Sequence, residues 1–376
     1  VNKKKHILLF IDWYFPAYKA GGPVQSCLNL VNRLSDTYHF SVITGDTEYT
    51  ESQRMPGIEV NVWTKNAKGH RVMYVSADRR NAAFFKKVID AETFDYAYLN
   101  GMYSAAFTRL PLSLIPHEKV VVAARGMLAP SALKVKPLKK MAFLLYAKLS
   151  HLFSGVIFHA THEGEANDIH TWFPGAQVRV AGNLPAAEEH TGTHPLPSPP
   201  PLRVVNIARI APEKNLLFAL EVLQHIRFPL QFDFYGPVYA REYLEKCNAE
   251  IKKLPSCVQA RACGPIPPSE TSAILASAHL MFMPTRGENF GHVIMESWQQ
   301  GTPVLISDQT PWQQLEQKKL GAALSLNSQE SFVAFLEKLF HMQEKEYSDM
   351  RDACRTFANE YLHSSGVLQK NISLFS

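Results

Sequence analysis

The stretch Arg286-Gly287-Glu288-Asn289-Phe290-Gly291-His292-Val293-Ile294-Met295-Glu296 sets a polar, glycine-bearing loop directly ahead of a helix, which ends at Gln300-Gly301-Thr302-Pro303. Glu288 and Glu296 lie eight positions apart across that junction. The first turn of a helix leaves N–H groups unpaired, and with the helix dipole behind them these groups attract phosphate oxygens. Carboxylates in the loop and one turn into the helix can accept hydrogen bonds from ribose and sugar hydroxyls. The stretch therefore suits a nucleotide-activated sugar. A plainer reading exists: an acidic residue near a helix N-terminus is electrostatically favoured anyway, and Glu296 can be an ordinary surface residue.

Outward from the junction the chain alternates short apolar runs with longer amphipathic segments. Before residue 188, strands are expected at His6 to Ile11, His39 to Thr44, Val72 to Ser76, Tyr96 to Leu99, Lys119 to Ala124, Gly155 to His159 and Val178 to Ala181. Most are near-continuous Val, Ile, Leu, Phe and Tyr, as parallel strands buried on both faces should be. Helices are expected between them, including Pro23 to Ser35 and Asn81 to Ala91. The pattern restarts with strands at Arg203 to Ala208, Gln231 to Tyr235, Val258 to Ala262, His279 to Met283 and Pro303 to Ser307, then helices at Glu330 to Leu339 and Ser348 to Leu362. This alternation is that of two doubly wound, Rossmann-like α/β domains. Residues 188–202, with Pro195, Pro197, Pro199, Pro200 and Pro201, can continue neither a helix nor a central strand and read as a semi-rigid linker. The division expected is an N-terminal domain over 1–187, the linker, a C-terminal domain over 203–354, and a tail over 355–376 that packs back on the first domain.

Composition narrows the function classes. At 376 residues the chain exceeds one core of roughly 150 residues. With 46% hydrophobic and 19% charged residues it is an ordinary globular sequence. No apolar run is long enough to span a bilayer, and the Ile7 to Ile11 run reads as a strand, not a signal segment. The cysteines (Cys27, Cys247, Cys257, Cys263, Cys354) lack metal spacing and suit reduced thiols in a cytoplasmic protein. A net charge of +5 permits an anionic partner, and no nucleic-acid-binding motif accompanies it.

Further candidates lie at strand ends. Gly21 and Gly22, between the first strand and its helix, let a backbone approach a phosphate, although a glycine pair is often only a turn. In Asn206-Ile207-Ala208-Arg209-Ile210-Ala211-Pro212-Glu213-Lys214-Asn215, Arg209 and Lys214 leave a strand end as fixed cations able to neutralise a diphosphate, or as solvated surface charge. The segment 134–148 carries Lys134, Lys136, Lys139 and Lys140 ahead of Met141, Phe143, Leu144 and Leu145, with Lys148 after them. It suits contact with an anionic membrane surface, and equally an ordinary packed helix.

Taken together, these motifs resemble the retaining glycosyltransferases of the two-Rossmann-domain class, the GT-B fold, family 4 (glycosyl transferases group 1). The resemblance runs through Gly21-Gly22, Ala124-Arg125-Gly126-Met127-Leu128, Gly182-Asn183, Arg209 with Lys214, and Glu288-Asn289-Phe290-Gly291 through Glu296. It implies two domains facing across a cleft and transfer of a sugar from a nucleoside-diphosphate donor, UDP-linked, to a polysaccharide or lipid-linked glycan, without a metal or other cofactor. It further implies that Arg209 and Lys214 stabilise the diphosphate, that Glu288 contacts the sugar and Glu296 the ribose, and that the amides of Asn289, Phe290 and Gly291 meet sugar and phosphate. Gly22, with Gly21, would close over the diphosphate, and Gly264-Pro265-Ile266 would flank the base. Many relatives carry a sugar-contacting histidine where this chain reads Arg125-Gly126, so Arg125 becomes a candidate for a donor or acceptor contact, against simple structural pairing. His159, His162 and His292 are expected to be structural or surface groups. Two alternatives share these residues: a sugar-nucleotide epimerase, and a non-catalytic sugar-nucleotide-binding assembly subunit.

Overall fold

The structure is a computed structural model that describes residues 4–134, 136–186 and 201–376. The chain forms two compact units, one of residues 1–187 with 364–376 and one of residues 188–363. Apart from its last residues, the proline-rich linker lies outside the described residues.

The strands of the first unit are β1 (His6–Ile11), β2 (His39–Gly45), β3 (Trp63–Lys65), β4 (Arg71–Val75), β5 (Tyr96–Asn100), β6 (Val120–Ala123), β7 (Ile157–Ala160) and β8 (Gln177–Val180). They form a single sheet in the order β3-β4-β2-β1-β5-β6-β7-β8. All pairings are parallel except β3 with β4. The apolar run of β1 shows why its strands lack alternation. Leu8 and Phe10 enter one core cluster and Ile7, Leu9 and Ile11 the other, so both faces are covered. The short strand β3 was not expected from the sequence. It is too short for a period, and Arg71 holds it by lying 4.0 Å from the Trp63 ring centre while donating to Glu92 at 2.6 and 2.9 Å.

The second unit has β9 (Leu202–Ile207), β10 (Leu230–Tyr235), β11 (Val258–Gly264), β12 (Leu280–Met283), β13 (Val304–Ser307) and β14 (Gly321–Leu324), in the order β11-β10-β9-β12-β13-β14. Every pair is parallel. Leu280 and Phe282 of β12 face a core built with the Leu216–Leu223 and Gln329–Phe340 helices. Met281 and Met283 face another, with the His292–Gln299 and Glu344–His363 helices. Strand β14, Gly-Ala-Ala-Leu, carries almost no β-favouring side chain and was missed for that reason.

The Glu344–His363 helix runs unbroken past the domain boundary expected after Cys354. Cys354 and Ala358 are buried on its inner face beside Trp298, and no glycine or proline interrupts it, so residues 355–363 belong to the second unit. The chain changes units at Ser364. Beyond it, Leu374 and Phe375 are fully buried among Ile7, Tyr38 and Tyr98 of the first unit. Tyr38 donates to the Ile372 carbonyl at 2.7 Å and Lys5 to that of Phe375 at 2.8 Å.

In both sheets the connections reverse direction once, between β1 and β5 and between β9 and β12. Strand carboxyl ends at such a reversal leave a crevice where loops diverge, which is where open α/β sheets bind ligands.

Candidate functional site

The second unit gathers most of the singled-out residues at its reversal point. Strand β9 ends at Ile207, and Ala208 stays in the ladder by donating to the Tyr235 carbonyl at 2.9 Å. The following loop is pinned by Ile210, which donates to the Pro237 carbonyl at 2.9 Å. It closes with a short turn, Pro212–Lys214, and with Asn215 in the left-handed region (φ 59°), a conformation asparagine tolerates better than most residues. The loop after β12 lies against it. Arg286 N–H donates to the Glu213 carbonyl at 2.9 Å, Thr285 Oγ1 to the same carbonyl at 3.1 Å, and Arg286 Nε to Asn215 Oδ1 at 3.2 Å.

Across this seam Lys214 Nζ donates to Glu288 Oε2. The two side chains are only 14% and 18% exposed, so this pair is screened far less than a surface ion pair. Arg209 is more open. It lies 3.4 Å from Glu213 Oε1, with its guanidinium 5.0 Å from the Tyr239 ring centre. Both cations thus stand on one loop at the reversal, with Glu288 on the other. A groove of about 250 Å³ farther along these loops is lined by Asn215, Leu217, Phe218, Glu221, Arg286 and Leu326, and not by Arg209, Lys214 or Glu288.

Behind the pair the His292–Gln299 helix begins without a side-chain cap, its N-cap Gly291 at φ 76°. That conformation selects glycine, and a Cβ there would in addition press on the movable end of Ile294, 2.6 Å away at Cδ1. Phe290 is buried, its ring 5.3 Å from that of Trp312, whose indole donates to the Phe290 carbonyl. That side chain anchors the loop. Ile294, Met295 and Trp298 face the core, while His292, Glu296 and Gln299 share the half-buried face. Gly264, Pro265 and Ile266 continue from the end of edge strand β11, about 10 Å, or two strand spacings, from β9. Gly236 is the residue that sequence reading passed over: it donates to the Gly264 carbonyl at 2.9 Å, and a Cβ on it would stand 1.9 Å from the Ala208 carbonyl oxygen.

In the first unit Gly21 is the N-cap of the Gly22–Leu34 helix, again without a side-chain cap. Nothing lies within 4 Å of where a Cβ on Gly21 or Gly22 would stand. Arg125 is occupied otherwise. Its Nε donates to Asn100 Oδ1 and an Nη to the Tyr98 hydroxyl, each at 2.8 Å, and its other Nη to Asn183 Oδ1. Tyr98 in turn meets His159 Nδ1 at 2.8 Å, and His159 Nε2 lies 2.8 Å from the Ala181 carbonyl. Arg125 and Asn183, named separately in the sequence, are therefore partners in a structural network. Burial, then the Arg125 charge, pushes His159 down to about 3, so it stays neutral at physiological pH. His162 caps the Glu163–Trp172 helix, accepting from Glu165 N–H at 3.2 Å. At the end of β1, Asp12 accepts from Ser104 Oγ at 2.7 Å. Its carboxyl is raised above the ordinary range by burial, against the Ser104 hydrogen bond and the Arg80 charge.

Comparison with known proteins fits this arrangement. Residues 194–357 match the family model described as glycosyl transferases group 1. No curated protein matches the chain. Among solved structures, Anabaena HepE in complex with UDP and glucose superposes with a TM-score of 0.70 at 13% identity, covering 98% of each chain. Sucrose-phosphate synthase from Thermosynechococcus elongatus gives 0.69 at 14% identity over 99% of this chain and 98% of its own. WaaG, a glycosyltransferase involved in lipopolysaccharide biosynthesis, gives 0.62 at 14% identity over 98% of each chain. The chain has the two-unit α/β fold of the GT-B glycosyltransferases, and its second unit is similar to the glycosyl transferases group 1 domain.

Proposed function

We propose that the protein is a retaining glycosyltransferase of family 4 that moves a sugar from a UDP-linked donor to a polysaccharide or lipid-linked glycan on the cytoplasmic side of the membrane. The observation that carries this reading is the ion pair of Lys214 and Glu288, which joins the two loops at the β9/β12 reversal in front of an uncapped helix start. In this mechanism Lys214 and Arg209 meet the diphosphate and stabilise the charge that grows on it as the glycosidic bond lengthens. Because they supply positive charge, no metal is needed there. Glu288 holds Lys214 in place and accepts from donor-sugar hydroxyls. Glu296 takes the ribose hydroxyls, the segment Gly264 to Ile266 flanks the base, and the amides around Gly291 meet sugar and phosphate. Gly21 and Gly22, within the first unit, leave open backbone of the kind that can meet a phosphate. The leaving group is already stable as an anion, so no protonated carboxyl is required, and the departing phosphate oxygen accepts the acceptor's proton.

HepE, which shares the fold, is recorded with UDP and glucose, and this supports UDP as the carrier. WaaG, of the same fold and involved in lipopolysaccharide biosynthesis, supports a glycan acceptor. A thermal-shift series with UDP, GDP and ADP tests the donor assignment. At about 100 times its dissociation constant UDP adds roughly 2.7 kcal/mol. For a unit of this size that raises the melting temperature by roughly 5–10 °C. GDP and ADP at equal concentration shift it less. No shift with any nucleoside diphosphate removes the reading; donor turnover without an acceptor points to the epimerase.

A further inference from the structure

The Pro137–Leu149 helix of the first unit has two apolar faces. One belongs to the core: Leu144 and Ala147 are buried, and Phe143 packs edge-on to Tyr103 at 5.2 Å. The other faces solvent. Leu138 is 85% exposed, Leu149 72%, Leu145 58%, Tyr146 54% and Met141 46%. Positions 138, 141, 145 and 149 are spaced as one stripe along a helix, nearly opposite the core face. The other large exposed apolar side chains among the described residues, Val62 and Val238, stand singly. Scattered exposed apolar residues need no explanation, whereas a continuous stripe on a helix already anchored by its opposite face calls for a partner.

The charge around the stripe says which partner. Between Glu118 and Glu163 the sequence contains no Asp or Glu. Lys134, Lys136, Lys139 and Lys148 are exposed, and at the angular spacing of a helix Lys139 and Lys148 fall on opposite flanks of the stripe. Lys140 is different, donating to the Ala132 carbonyl at 2.6 Å. Long lysine stems let an apolar stripe sink below the level of the ammonium groups, and Tyr146 suits the same boundary. A second copy of the chain fits poorly, because pairing stripe to stripe brings two sets of lysines together with no carboxylate in the segment to meet them.

We infer that this helix docks the protein on an anionic phospholipid surface, with Leu138, Met141, Leu145 and Leu149 in the acyl boundary and the lysines among the headgroups. Helix length decides the mode of contact. Thirteen residues reach about 20 Å, short of the roughly 30 Å hydrocarbon core, so the helix lies in the plane of the surface. Among the described residues no helix is long and apolar enough to cross a membrane. The surface binds lipid whether or not the second unit transfers sugar.

Flotation of the full chain at low salt tests the assignment, using vesicles of phosphatidylcholine alone and of phosphatidylcholine with an equal amount of phosphatidylglycerol. The wild type is expected to float with the anionic vesicles and to partition at least about tenfold less onto the neutral ones. The double variant Leu145→Asp, Leu149→Asp is expected to lose binding by a similar factor or more while keeping its melting temperature and its UDP response, since both side chains are mostly exposed. Three results overturn the inference: no flotation of the wild type, undiminished flotation of the variant, or a wild-type dimer in sedimentation that the variant dissociates while neither binds vesicles.

Discussion

Lys214→Ala is expected to turn over about a hundred- to a thousandfold more slowly than the wild type, the range seen when one preorganised charge-stabilising group is removed from a reacting centre. Two effects act together. The ammonium no longer meets the diphosphate as negative charge builds, and Glu288, 18% exposed, is left without its counter-charge beside the incoming anion. The second effect also costs stability, up to about 3 kcal/mol if the carboxylate stays buried and unpaired. The double variant Lys214→Ala, Glu288→Gln separates the two: it loses the ammonium yet leaves no unpaired carboxylate, so its stability recovers while its turnover stays low. The variant comparison is made by initial rates at saturating donor, with the melting temperature of each variant recorded alongside. Near-normal turnover in Lys214→Ala removes the proposed mechanism.

Gly236→Ala is expected to cost a large share of the protein's stability. The backbone there has φ 147°, and the added Cβ would lie 1.9 Å from the Ala208 carbonyl oxygen and 2.7 Å from its carbon. These are backbone atoms at the joined ends of β9 and β10, where Ala208 donates to Tyr235 and Gly236 to Gly264. Relief therefore requires one strand end to move away from the other, which displaces the loop bearing Arg209 and Lys214. A cost of about 4 kcal/mol or more is expected, a large fraction of the 5–15 kcal/mol that ordinarily separates folded from unfolded states. Gly264→Ala is the control. Its φ of 79° disfavours a side chain, but no atom lies within 4 Å of the new Cβ, so its cost stays near about 1 kcal/mol. Urea or thermal denaturation of both variants decides the matter, and equal midpoints contradict the account of this strand junction.

The two α/β units were legible because doubly covered parallel strands write themselves as continuous apolar runs, as Ile7 to Ile11 does. Where that signal is absent the reading failed: at β3, held by Arg71, and at β14, whose residues carry little β preference. The domain boundary slipped by nine residues, from Cys354 to His363, because the amphipathic pattern of the Glu344–His363 helix continues across it and composition does not change there. At the site, residue type and strand-end position brought Arg209, Lys214 and Glu288 to one place. Sequence alone could not show that Lys214 and Glu288 pair, because 74 positions separate them and their meeting depends on β12 lying beside β9. Nor could it show that the Arg125 guanidinium is taken up by Tyr98, Asn100 and Asn183, or that Gly236 is confined by the backbone of Ala208.

A nucleoside diphosphate is expected to bind at the β9/β12 reversal through Lys214. Calorimetric titration of UDP into the wild type, Lys214→Ala and Lys253→Ala tests it most directly, Lys253 being an exposed residue paired with Glu250 elsewhere in the same unit. A single saturable site is expected in the wild type and in Lys253→Ala, and binding at least about tenfold weaker in Lys214→Ala, the loss of one charge-assisted contact to phosphate. Equal UDP affinity in all three proteins, or no binding by the wild type, contradicts it.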